Sequence, residues 1–217
     1  MKKFFCVILS VLIVAGLTAC SDSKNDDVND GNFYDEFPTG DEIVTVILKK
    51  NPVATIELSD GGKVVIELCY DAAPNTVASF IAYVNADCYD GFGFTQVRDS
   101  AIVMADLIED EYSSPFYIKE ELNSSLSHLR GTVTMSRTEH QGQVTGRFSI
   151  LTEDRRHFDK YNSAFGKVIE GMDYIDRIAA TEVNTEDYHV ENPIEIVSIT
   201  VDTFDQEIPD PVIIRKD

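Results

Sequence analysis

The chain reads as a mostly β protein: a closed antiparallel barrel of about eight strands, capped by two helices. Short runs rich in β-branched residues recur from Ile43 onward, two of them joined by the turn signal SDGG. Helical periodicity is confined to two stretches, and strands and helices do not alternate as they would in a parallel βαβ sheet.

The first residues stand apart from that pattern. Lys2 and Lys3 precede the apolar run FFCVILSVLIVAGL, too short for a comfortable membrane span, so residues 1–19 read as a secretory leader. It ends in Leu17-Thr18-Ala19-Cys20, which resembles the lipobox of bacterial lipoproteins, with Cys20 lipidated as the mature N-terminus. The alternative is an ordinary leader cut after Ala19. Buried acyl chains contribute ~0.8 kcal/mol per CH₂, so several on one residue make a lasting anchor. Residues 20–42 are acidic and poor in core residues, and read as a disordered tether. Ser21 in place of Asp after Cys20 points to the outer membrane. The expected location is the bacterial cell envelope, with the membrane as a partner through Cys20.

The domain is expected over residues 43–203. IVTVIL, VATIEL and VVIELCY are its first strands, the last two turning through Gly61 and Gly62. Pro74 suits the first turn of a helix on which Val77, Phe80, Ile81 and Val84 recur at helical spacing. Strands resume at Phe92–Val97 and Ile102–Ala105, then at GTVTMS, RFSILT and SAFGKVI. A second helix follows Gly171, with Met172, Ile175 and Ile178 on one face, and PIEIVSITV closes the set. The tail, residues 204–217, could lie along the barrel or dangle.

Charge excludes one class of function. A formal charge of −20 repels phosphate backbones, so no nucleic-acid partner is expected. With Cys6 in the leader and Cys20 lipidated, Cys69 and Cys88 remain, either as a disulfide in an oxidising envelope or as two free thiols. No phosphate loop, zinc spacing or Ser-His-Asp order is visible, and no cofactor is expected.

Four stretches in order carry a resemblance. They are VVIELCYDAAPNTVASFIAYV, CYDGFGFTQVRDSAIVMAD, HLRGTVTMSR and FDKYNSAFGKVIEGMDYIDRI. Together they resemble the cyclophilin family of peptidyl-prolyl cis-trans isomerases. That resemblance implies a cyclophilin-like barrel whose partners are proline-containing peptide segments or unfolded envelope proteins.

The chemistry it implies is stringent. A prolyl bond rotates over a barrier of ~18–20 kcal/mol, and uncatalysed exchange takes about tens to hundreds of seconds. No covalent step is needed. The site must seat the proline ring and stabilise the twisted amide better than the planar one. In the family an arginine donates to that amide, and its position corresponds to Gln96. A neutral donor is roughly half as strong as a charged one. Gln96 therefore reads as a weak electrophile or as a plain polar residue at the barrel mouth.

Other groove positions differ as well. Thr95 stands at a usual His, Ala101 at a pocket phenylalanine, Ile102 at Met/Leu and Met104 at the supporting glutamine. Ser136 and Arg137 replace an Ala-Asn pair, and Arg147 and Ser149 flank Phe148 where the family has Gln and Phe. His157, Phe158 and Asn162 fall at Trp/Phe, Leu and His positions. Arg98, Arg137 and Arg147 are candidates for the missing charge; each could equally pair with an acidic neighbour or with solvent. Tyr112, Phe116 and Tyr117, in a more acidic loop than the family's, are read as pinning that loop to the domain. The expected function is a slow prolyl isomerase, with a non-catalytic peptide-binding module of the envelope as the alternative. A purely structural partner in an envelope assembly is the third possibility.

Overall fold

The computed structural model describes residues 33–99, 102–105, 114–122, 125–138, 142–184 and 186–215. The leader, Cys20, Ala101, Tyr112 and His140 lie outside the described residues, as does the side chain of Ile102.

Val53–Leu58 (β1) and Lys63–Leu68 (β2) form the expected hairpin. Leu58 N–H donates to Gly62 O at 2.9 Å, and Gly61 takes φ 84°, a conformation glycine adopts without cost. Ala54, Ile56 and Leu58 alternate inward with Val64, Ile66 and Leu68 beside them. Pro74–Asn85 (α1) follows, its Val77, Phe80, Ile81 and Val84 stripe buried against the sheet. The first-turn donors of α1 are satisfied from a distance. Glu121 accepts from Asn75 N–H at 3.2 Å and from Thr76 N–H and hydroxyl at 2.7 Å each.

The remaining strands are Phe94–Arg98 (β3), Ile102–Ala105 (β4), Ile118–Lys119 (β5), Thr132–Arg137 (β6), Gln143–Leu151 (β7), Ser163–Glu170 (β8) and Ile196–Asp202 (β9). Met172–Ala179 (α2) presents Ile175 and Ile178 to the core. Arg130 holds α2 to the sheet with a bidentate pair to Asp176, 2.6 Å on each arm. Gly171, before α2, has φ 90°, and a side chain there would run into the Lys63 carbonyl. Inside the sheet, Phe80 meets Tyr89, Phe148 and Phe165 with ring centroids 5.3–5.6 Å apart.

Three expectations need correction. The sheet is not a closed eight-stranded barrel. Nine strands form one open, strongly curled antiparallel sheet in the order β3-β4-β7-β6-β8-β2-β1-β9, with β5 added against β7. No ladder joins the end strands; a single bridge links Gly93 to Glu195. The outer edge of β3 is occupied instead by residues 188–190, which bridge back to it at Gln96. Second, IVTVIL is not a strand. Both edges of β1 are already taken by β2 and β9, and among the described residues this segment pairs with no strand, with Ile47 99% exposed.

The third correction concerns the ends. The tether expected over residues 20–42 finishes in a packed segment. Phe33, Tyr34 and Phe37 surround Phe116, which itself stacks on Tyr83 at 4.5 Å. The tail lies against the same region rather than dangling: Ile213 N–H donates to Pro38 O, and Tyr117 and Ile214 exchange both backbone bonds. Both carbonyl and N–H of Val212 are held by the buried Asn75 side chain. Phe116 is fully buried, so it pins its loop as the sequence suggested. Cys69 and Cys88 are free thiols, resolving the open choice between disulfide and thiols.

Candidate functional site

The site begins with a register fault. Phe94 pairs with Ala105, but Gln96 pairs with Met104, so two residues of β3 oppose one step of β4. Such a bulge re-aims side chains by breaking the alternation of faces. Phe94 and Val97 can therefore both point into the core, while Gln96 points out and is half-buried.

From Gln96 a row runs across the sheet. Gln96 pairs with Met104, Met104 with Ser149, and Ser149 with Thr134. Directly opposed residues share a face, so these four side chains line one transverse strip. The strip is deep at one end: Met104 is 8% exposed, Ser149 5% and Thr134 2%. Gln96 is its most exposed member.

At the deep end a buried network fixes the rim. His128 is 1% exposed. Its backbone N–H and its Nδ1 both meet Asp159 Oδ1, at 2.7 and 2.8 Å, and Ser127 donates to Asp159 Oδ2 at 3.0 Å. Its Nε2 lies 2.9 Å from the Thr134 hydroxyl. Burial pushes the His128 pKa down, outweighing the opposing pull of Asp159. The neutral ring then donates from Nδ1 to the carboxylate, and its Nε2 and Ser163 O, 3.2 Å from the same hydroxyl, share the single Thr134 proton. Burial alone would raise the Asp159 pKa. The bonds from His128 and Ser127 together outweigh it and hold that carboxyl below its ordinary value.

Asp159 belongs to a 3-10 helix, Arg156–Lys160, and anchoring it places Phe158 beside His128 at 5.9 Å. His157 is exposed and leans on the Phe158 ring at 4.5 Å. Asn162 is half-buried, its N–H bonded to Phe158 O at 2.9 Å. This puts Phe158, His157 and Asn162 on the rim above Thr134 and Ser149.

The arginine candidates differ in placement. Ser136 and Arg137 end β6, and Arg137 is paired with Glu120 at 3.2 Å, the ordinary outcome for a cation in an acidic chain. Arg147 lies in the irregular part of β7, where the pairing jumps from Met135–Phe148 to Arg137–Val144. Arg98 is exposed, 5.8 Å over the Tyr188 ring. Phe148, between Arg147 and Ser149, is wholly core. For Ile102 the backbone alone is described, paired to Arg98 and Leu151. Among the described residues, no three His, Cys, Asp or Glu side chains converge as metal ligands would.

One neighbour of Gln96 escaped the sequence reading. His189, from the connection between α2 and β9, lies with its Nε2 3.2 Å from the Gln96 carboxamide nitrogen. The only sequence signal was Tyr188-His189-Val190, a strand-like triplet in an acidic loop.

Set beside known proteins, this arrangement has a consistent match. The sequence matches the family described as Cyclophilin type peptidyl-prolyl cis-trans isomerase/CLD over residues 53–201. A peptidyl-prolyl cis-trans isomerase of Acinetobacter baylyi is 30% identical over 151 residues, covering 64% of this chain and 80% of the relative. Peptidyl-prolyl cis-trans isomerase B of Escherichia coli is 28% identical, over 64% of this chain and 94% of the relative. The crystal structure of a Cryptosporidium parvum cyclophilin type peptidyl-prolyl cis-trans isomerase shares the fold, with a TM-score of 0.64 at 17% identity, covering 70% of this chain and 98% of that one. The curled sheet and the two helices are thus those of the cyclophilin fold, and the chain belongs to the cyclophilin-type peptidyl-prolyl cis-trans isomerase family.

Proposed function

We propose that this protein is a slow prolyl isomerase acting on proline-containing segments, including those of folding envelope proteins. The observation that carries the low rate is Gln96 at the head of the outward row. A neutral donor at this end of the row stabilises a twisted amide less than a guanidinium does, by about 1–3 kcal/mol, which is roughly ten- to hundredfold in rate. Ser149 and Met104 form the floor under the proline ring, with Phe158 the main apolar rim. Ser149 offers little apolar area where the family has an aromatic ring, so peptide affinity is low as well.

The lipobox at Cys20 supports a lipid anchor in the bacterial envelope, with the outer membrane favoured. The packed segment at Phe33 leaves residues 21–32 as spacer between anchor and domain. A second reading, a peptide-binding module without turnover, is favoured by one observation: Arg137 is committed to Glu120 and is not a ready substitute donor.

Exchange spectroscopy on an Ala-Pro peptide separates the two. The native protein should speed cis/trans exchange measurably, and Gln96→Arg should raise the rate about tenfold. If the native protein shifts peptide resonances but leaves the exchange rate at its uncatalysed value, the binding module is the correct reading.

A further inference from the structure

We infer that His189 is the catalytic hydrogen-bond donor of this site, and that Gln96 acts as the residue that positions it. The inference rests on the isomerase reading above and adds the identity of the donor.

The placement of His189 is built by backbone pairing. Tyr188 N–H donates to Asn184 O at 2.8 Å, Asn184 N–H to His189 O at 3.0 Å, and Val183 bridges Val190, closing a tight hairpin. That hairpin then docks on the free edge of β3. Val97 N–H donates to Tyr188 O at 3.0 Å and Val190 N–H to Thr95 O at 2.8 Å. Gln96 and His189 are thereby the opposed, non-hydrogen-bonded pair between those two bonds. In such a pair the side chains are close and leave the strands on the same side. His189 therefore extends the outward row by one place, to His189–Gln96–Met104–Ser149–Thr134, and it stands at the open end, exposed.

The hydrogen-bond account of Gln96 points the same way. Its carboxamide nitrogen faces His189 Nε2 at 3.2 Å, and its carboxamide oxygen is buried with no partner among the described residues. One of the two carboxamide N–H groups is committed to His189 and the oxygen is shielded, so Gln96 keeps at most its second N–H for a substrate. With Gln96 N–H donating to Nε2, the proton of a neutral imidazole must sit on Nδ1. The exposed end of the row then carries one oriented ring N–H, the Nδ1–H, able to donate to the prolyl carbonyl or nitrogen as the amide twists. Protonation strengthens that donor, because a charged donor bonds about twice as well as a neutral one. The carboxamide meets an Nε2–H by a half-turn that offers its oxygen instead.

Asp187 accepts the His189 backbone N–H at 3.1 Å and helps to fix the residue in place.

The test is exchange spectroscopy on an Ala-Pro peptide with the full chain. His189→Phe keeps a flat ring and removes the donor; Gln96→Arg/His189→Phe returns a donor of the family type. His189→Phe should lose roughly ten- to hundredfold in kcat, with KM within about twofold, and the double variant should recover. Should the native protein be active and His189→Phe equal to it, His189 is not the donor, while the isomerase reading stands. A native protein that binds the peptide but gives no rate overturns both.

Discussion

Replacing Asp159 by alanine tests whether the rim of the groove is held by one carboxylate. Asp159 accepts from the His128 N–H, the His128 ring and the Ser127 hydroxyl. Two of those donors, one backbone and one ring N–H, belong to a residue that is 1% exposed, so water cannot simply take over. Hydrogen bonds to a charged group contribute about 1.5–3 kcal/mol each, and an orphaned buried donor costs about 1–3 kcal/mol. These contributions are not additive within one network, and the expected loss is about 3 kcal/mol. At roughly 2–4 °C per kcal/mol for a chain of this size, Tm should fall by about 6–12 °C. Asp159→Asn keeps an acceptor and should lose about half as much.

The same network predicts acid sensitivity. His128 has a folded pKa below its unfolded value, so its contribution is present above ~6.5 and is lost as pH falls through that value. Asp159 is also depressed, so its share is present above ~4 and is lost as pH falls further. Both slopes have the same sign. Thermal melts of the native protein and both variants between pH 3 and 8 measure this; Asp159→Ala should be flatter below ~4 and, with the upward pull on His128 gone, steeper below ~6.5. An Asp159→Ala protein melting within 1 °C of native at pH 7 would refute the argument that this carboxylate carries the rim.

Two further outcomes follow from the packing. Phe116→Ala removes the ring that Phe33, Tyr34, Phe37 and Tyr83 all contact. It should cost about 3–5 kcal/mol in urea unfolding, and limited proteolysis should then cut within residues 33–48. Gly171→Ala forces a side chain into a left-handed backbone position against the Lys63 carbonyl. It should destabilise by more than ~1 kcal/mol, read as a lower urea midpoint with an unchanged slope.

What the sequence disclosed, it disclosed through periodicity. The α1 stripe, the β1–β2 hairpin and the β4 boundaries are local patterns, and each survives in the structure. IVTVIL failed because strand propensity does not supply a pairing partner; both edges of β1 were already claimed from farther along the chain. The aromatic segment at Phe33–Phe37 was hidden by its acidic surroundings, although it buries rings against a residue far away in sequence. That the sheet stays open was equally invisible, since it depends on what lies along the β3 edge. The hairpin there carries acidic and polar residues, with little apolar periodicity to announce it.

That same edge explains why the site was only half legible. The resemblance located Gln96 and identified what it replaces, but no pattern in the chain linked it to His189, 93 residues later. The connection is made by two backbone bonds, at Thr95 and Val97, and backbone bonds leave almost no trace in sequence. The bulge at Thr95 turns Gln96 outward just where the hairpin arrives, so one local irregularity does two things. It takes the side chain out of the core alternation and sets it opposite a residue from a distant loop. Read by position alone, Arg to Gln is a loss. Read with its neighbour, it is an exchange of one flexible cation for a shorter amide held against an imidazole. Which description is right depends on whether removing the imidazole removes the rate.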